Sequence, residues 1–124
     1  MKFAVYQIQF SEADVKEINS GQTKNTKFEL KTAMQLDFDG TKSGGYADQA
    51  FAAGLYTHVA NITAEDFNDV FEVGNIGPSS SIERLGRMSS VSVGDIIIDE
   101  EGSMVVVTSY GFTLIGYRPE LVDA

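Results

Sequence analysis

The chain predicts an α+β fold: one small domain over residues 1–124, with an antiparallel sheet made of an N-terminal strand plus a C-terminal meander, packed by two to four short helices. Three observations carry this. Aromatic and β-branched residues concentrate near both ends, in residues 3–10 and 91–117. Shorter stretches between them carry helical spacing and capping residues. A length of 124 residues, 43% of them hydrophobic and 22% charged, suits a single core.

Residues 3–10 read Phe-Ala-Val-Tyr-Gln-Ile-Gln-Phe and alternate towards their end, which predicts a strand. Ser11-Glu12-Ala13-Asp14 is a variant capping box, so a helix starts at residue 13 or 14 and stops at 19, before Gly21. Residues 21–27 are polar and aperiodic and read as a loop. Residues 28–36 contain good helix formers, although Phe28, Leu30 and Thr32 also alternate; a helix is the favoured reading. Asp39-Gly40 and Ser43-Gly44-Gly45 punctuate the next stretch, and residues 48–54 read as a short helix capped by Gly54.

Residues 55–62 predict a strand with Tyr56, His58, Ala60 and Ile62 on one face. Thr63 reads as the cap of a helix whose apolar stripe is Phe67, Val70, Phe71 and Gly74. Residues 82–85 read as one helical turn. Two β-branched runs, 96–98 and 104–108, flank an acidic turn ending in Gly102, which is a hairpin pattern. Residues 112–117 add a third strand that Pro119 stops.

There is no cysteine, which removes disulfides, thiolate nucleophiles and Cys-based metal centres. The start of the chain turns polar too early for a signal peptide, and no apolar run approaches the ~20 residues of a membrane span. Together these predict a cytoplasmic protein with no membrane association. The net charge of −9 is uneven. Residues 1–60 hold six Lys/Arg against seven Asp/Glu, whereas residues 61–124 hold three against eleven. Such a surface disfavours direct nucleic-acid binding and suits a basic partner. The candidate acidic face is Glu65, Asp66, Asp69 and Glu72 with Asp99, Glu100 and Glu101.

The lone histidine, His58, has no local acid or nucleophile to complete a catalytic set, so a structural role is the favoured reading. Ser89-Ser90-Val91-Ser92-Val93-Gly94-Asp95 is the most individual stretch. Its hydroxyls and Gly-Asp pair fit either a polar binding loop or a turn. The candidate binding residues are therefore His58, Ser90, Ser92 and Asp95. Asp95 and Asp99–Glu101 do not follow the Ca²⁺-loop template, and no phosphate-loop pattern occurs, so no metal and no cofactor are expected. Arg84, Arg87 and Arg118 could form a small anion-binding cluster, but in so acidic a chain internal pairing with Glu83 or Asp95 is the favoured reading.

Residues 55–115 resemble the YodL-like family of small proteins found in bacterial phages, plasmids and mobile elements. The resemblance lies in Tyr56-Thr57-His58-Val59-Ala60, Asp69-Val70-Phe71-Glu72 with Asn75, the 89–95 stretch, and Gly111-Phe112. Gly94 is inserted where that family often runs Ser-Asp directly, and residues 1–54 lie outside the match. The resemblance implies a small accessory protein of the bacterial host cytoplasm, with no chemistry to carry over.

The leading expectation is thus a non-catalytic protein that binds a host or phage protein through its acidic half and modulates a nucleic-acid enzyme. A second reading is a small-ligand binder or enzyme with a site near His58, Ser90, Ser92 and Asp95. A third is a virion component or homo-oligomer pairing through an edge strand at residues 104–108.

Overall fold

A computed structural model describes residues 1–21 and 24–122. Its centre is β1 (Lys2–Ile8), flanked on one side by β2 (Tyr56–Thr63) and on the other by β4 (Ile96–Ile98). Outside β2 lies β3 (Ile82–Arg84). Outside β4 lie β5 (Ser103–Thr108) and β6 (Gly111–Tyr117), giving six antiparallel strands in the order β3-β2-β1-β4-β5-β6. The helices are α1 (Glu12–Ser20), α2 (Thr26–Gln35), α3 (Ser43–Ala52) and α4 (Phe67–Ile76). The α+β architecture and the C-terminal meander are as the sequence predicts. None of the helices among the described residues is long and apolar enough to cross a membrane.

Alternation along the central strands sends apolar side chains to both faces of the sheet, so two cores form. Phe3, Val5, Ile97, Val105 and Val107 meet Val70 and Val73 of α4 on one face. Ile8, Ile96, Ile98, Met104 and Val106 meet Leu30 and Met34 of α2 and Ala47 and Ala50 of α3 on the other. Burial on both faces is why residues 96–98 read as an unbroken isoleucine run.

Local chemistry sets the helix ends. Ser11 and Asp14 form the reciprocal capping box, and Gly21 closes α1 in the left-handed conformation. Asn25 caps α2 by accepting from the Phe28 amide, so the predicted loop ends there; Gln22 and Thr23 of that loop lie outside the described residues. After α3, Leu55 N–H donates to Ala50 and Gly54 N–H to Phe51, the paired bonds of a Schellman ending.

Five expectations are corrected. The helix read at 48–54 begins five residues earlier, at Ser43. The buried Asp37 carboxylate accepts from the Lys42 and Ser43 amides and from the Ser43 hydroxyl, which caps the helix from outside its own sequence. The cap of α4 is Asp66, which accepts from the Asp69 amide, and not Thr63; Thr63 is still in β2, paired with Lys2. Residues 82–84 are a strand because their backbone pairs with β2; the one-turn helix precedes them at Ser79–Ser81. Residues 104–108 are not an edge, since β5 lies between β4 and β6; the long edge is β6.

The fifth correction concerns the faces of β2. Val5 pairs with Ala60 but Tyr6 pairs with His58, so β2 carries one extra residue, a β-bulge at Val59. Strict alternation therefore breaks in mid-strand. Ala60 and Ile62 join the α4-side core, while Tyr56 and His58 stay with Tyr6 on the α2/α3 side.

Candidate functional site

The segment 89–95 is laced to the centre of the sheet by one buried side chain. Gln7 projects from β1 on the α4 side. Its Nε2 donates to Ser89 O (2.9 Å) and to Asp95 Oδ2 (3.0 Å), and its Oε1 accepts from the Ser89 amide (3.0 Å). Asp95 Oδ2 also accepts from the Ser92 amide (2.9 Å). Gln9, two residues along the same strand direction, donates to Arg87 O. Alternate glutamines thus hold the incoming loop by its backbone.

Burial of Asp95 pushes its carboxyl up to about 7, against the opposing effects of the Ser92 amide, the Gln7 amide and the Lys31 charge. Tyr56 donates to Gly94 O (2.6 Å), and its phenol is raised well above the ordinary range by burial and then by the Asp95 charge. The hydroxyls of Ser90 and Ser92 make no hydrogen bond to another described residue; both side chains are exposed. The loop's backbone and Asp95, rather than its serine hydroxyls, make the contacts.

His58 lies on the opposite face. Its ring stacks on Tyr6 at 4.7 Å between centroids with 13° between planes, and its Nε2 lies 2.9 Å from Asn61 Oδ1. Gln7 and Tyr6 are neighbours on β1 and point to opposite sides, so His58 does not converge with Asp95, Ser90 and Ser92. The arginine pairings also differ from expectation. Arg87 donates to Phe10 O, Glu83 accepts from Asn61, and Asp95 is sealed beneath its loop.

His58 instead lines a concavity of about 240 Å³ with Ala4, Asn61, Ile98, Leu121 and Val122. Lys2, Asp99 and Glu100 complete its lining. The bulge at Val59 creates this arrangement by putting His58 and Asn61 side by side. Among the described residues no three acidic or imidazole groups are placed to hold a metal ion.

The two acidic runs, some thirty residues apart, meet at one end of the sheet. Met1 exchanges backbone hydrogen bonds with Ala64, directly before Glu65 and Asp66, and the next amide, Lys2 N–H, donates to Glu100 Oε1 (2.7 Å). Glu65, Asp66 and Asp69 therefore flank the start of β1 on one side, and Asp99, Glu100 and Glu101 on the other; Glu72 follows one turn along α4. Several of these carboxylates have local duties. Asp66 caps α4, Asp69 accepts from the Glu65 amide, and Asp99 holds the β4–β5 turn by accepting from the Glu101 and Ser103 amides. Glu65, Glu72 and Glu101 are exposed and have no such duty among the described residues.

Comparison with family models, with curated proteins and with solved structures found no match in any of the three.

Proposed function

We propose that this chain is a non-catalytic accessory protein, of the phage or mobile-element kind that residues 55–115 resemble. It binds a basic partner protein at the acidic end of its sheet and so modulates a nucleic-acid enzyme of the host cytoplasm. The observation that carries this reading is the meeting of the 65–69 and 99–101 acids around the start of β1. Clustered carboxylates raise the local potential and speed encounter with a cationic surface. The Ser89–Asp95 stretch, by contrast, makes its contacts within the fold.

The test is affinity capture from bacterial lysate with the wild type and with a triple variant, Glu65→Lys, Glu72→Lys and Glu101→Lys. These three acids cap nothing, so the fold is kept. The reading expects one dominant partner, normally a nucleic-acid binder, released by high salt and absent from the variant's eluate. A partner held equally by both proteins contradicts it.

A second reading, self-association, has its own observation. β6 is an unpaired seven-residue edge on which Leu114 and Tyr117 are 68% and 64% exposed. Antiparallel pairing of two such edges across a two-fold axis would make a continuous sheet. Sedimentation of the wild type against Thr113→Pro separates a dimer from a monomer.

A further inference from the structure

We propose that the cavity holding His58 binds a primary ammonium carried on a short aliphatic stem. Three features specify that chemistry. The first is a free acceptor whose identity is fixed by its neighbours. Glu83 can only accept, so Asn61, whose Nδ2 lies 2.8 Å from Glu83 Oε1, turns its amide nitrogen to Glu83 and its oxygen to His58. Asn61 Oδ1 in turn requires the hydrogen on His58 Nε2, 2.9 Å away. In the neutral ring His58 Nδ1 then carries the lone pair, and among the described residues it has no hydrogen-bond partner.

The second feature is the wall. Ala4, Ile98, Leu121 and Val122 offer an apolar surface to a stem, and about 240 Å³ suits a few methylenes better than a drug-sized body. The third is charge. Asp99 and Glu100 line the cavity against the one ammonium of Lys2, so the rim carries net negative charge. Among the described residues only one oxygen of each carboxylate is engaged, Asp99 Oδ1 by the Glu101 and Ser103 amides and Glu100 Oε1 by the Lys2 amide. An ammonium carries three hydrogens and no acceptor, which matches a cavity lined by an imidazole and two carboxylate residues. A lysine side chain of a partner has this form, a charged head on an apolar stem, and so does a free alkylamine. The lysine form rests on the acidic-end reading, because the cavity shares Asp99 and Glu100 with that end; the free-amine form does not.

The test uses the full chain labelled with ¹⁵N. His58 is the one histidine, so its ring signals need no assignment. Three probes are titrated: n-butylamine, an end-blocked Gly-Lys-Gly peptide, and butyrate. The proposal expects a saturable shift of the Nδ1 resonance with an ammonium probe and none with butyrate. A stronger response to the peptide than to butylamine identifies a protein lysine as the natural occupant, and the reverse identifies a free amine. His58→Phe keeps the stacking on Tyr6 but loses the acceptor, and should weaken binding about tenfold. Glu100→Gln, at an exposed position, should weaken it severalfold and serves where the ring variant folds poorly. No ring response to either amine, an equal response to butyrate, or unchanged binding in both variants overturns the proposal. A captured partner retained equally by wild type and His58→Phe overturns the lysine form while leaving the acidic-end reading intact. Amine binding with no captured partner counts against the acidic-end reading and the lysine form together and leaves the free-amine form standing.

Discussion

Gln7 Nε2 lies 3.0 Å from Asp95 Oδ2, joining the central strand to the residue that precedes β4. Both side chains are buried, at 2% exposure each. The pair is a latch: Gln7 bonds both backbone groups of Ser89 and Asp95 accepts from the Ser92 amide, while Asn75 and Tyr56 donate to Val91 O and Gly94 O along the same loop. A half-satisfied buried network is costly, so each member should be sensitive to substitution.

The first prediction concerns pH. Asp95 is raised by burial to about 7 from an ordinary 3.8. The folded state therefore holds a proton that the unfolded state releases between those values. The associated stability is fully present below about pH 4 and is lost as pH rises through 7. At ~1.4 kcal/mol per unit the loss is at most about 4 kcal/mol. Asp14 and Asp39, both held below the ordinary range chiefly by backbone amides, act in the opposite sense and only at more acidic pH. Denaturation midpoints measured from pH 5 to 8 should fall for the wild type. Asp95→Asn, which keeps an acceptor for Gln7 and Ser92 and carries no charge, should stay level.

Gln7→Leu tests the other half of the latch. It removes the partner of the Ser89 amide and strips one donor from a buried carboxylate. The expected cost is about 2–4 kcal/mol, read by urea denaturation. Amide exchange at Ser89 should accelerate more than exchange at Val5, which stays in its ladder. Equal acceleration at both sites would mean that the loop is not held by Gln7.

Gly74 gives a prediction opposite in sign to helix propensity. It sits within α4, where alanine is ordinarily better by about 1 kcal/mol. A Cβ there would lie 2.3 Å from Val91 Cγ2, which is fully buried. Gly74→Ala should therefore destabilise by about 1–3 kcal/mol. Val91→Ala alone should also destabilise, and the double variant should be more stable than the sum of the two losses predicts.

Gly102 turns β4 into β5 with φ +96°, and a Cβ would lie 2.6 Å from the backbone of Pro119. The Arg118 amide donates to Gly102 O at 2.7 Å, so the turn at Pro119–Leu121 is seated on this glycine. Gly102→Ala should lift that turn, costing about 1–3 kcal/mol in a denaturation titration. It should also weaken ammonium binding, because Leu121 and Val122 wall the His58 cavity.

Much of the architecture is legible in the sequence because it is local. The capping box at Ser11 and the hairpin around residues 99–102 need only neighbouring residues to be read, whereas the α4 stripe is legible only in part: Val70 is buried, but Phe71 is exposed and Val73 takes its place in the core. The features that escape such a reading are set by distant groups. Asp37 starts α3 at Ser43 from six residues away, and pairing with β2 makes residues 82–84 a strand. Asp95 stands out in the sequence and Gln7 does not, although a buried glutamine in an apolar strand is the signal that a loop must be bonded there. His58 is assigned the wrong neighbours by strict alternation because a bulge at Val59 has no signature in a strand of ordinary residues. The acidic runs are visible in the sequence, but their meeting depends on Met1 and Lys2 lying between them.

The most direct measurement of the central claim is the salt dependence of binding for the captured partner. Affinity is measured between about 50 and 300 mM salt for the wild type and for the Glu65→Lys, Glu72→Lys, Glu101→Lys variant. If the acidic end is the docking surface, log affinity falls steeply with log salt for the wild type. The variant should bind at least about tenfold more weakly at low salt, with a visibly shallower slope. Equal affinity and equal slope in the two proteins would contradict the claim and place the interface elsewhere on the chain.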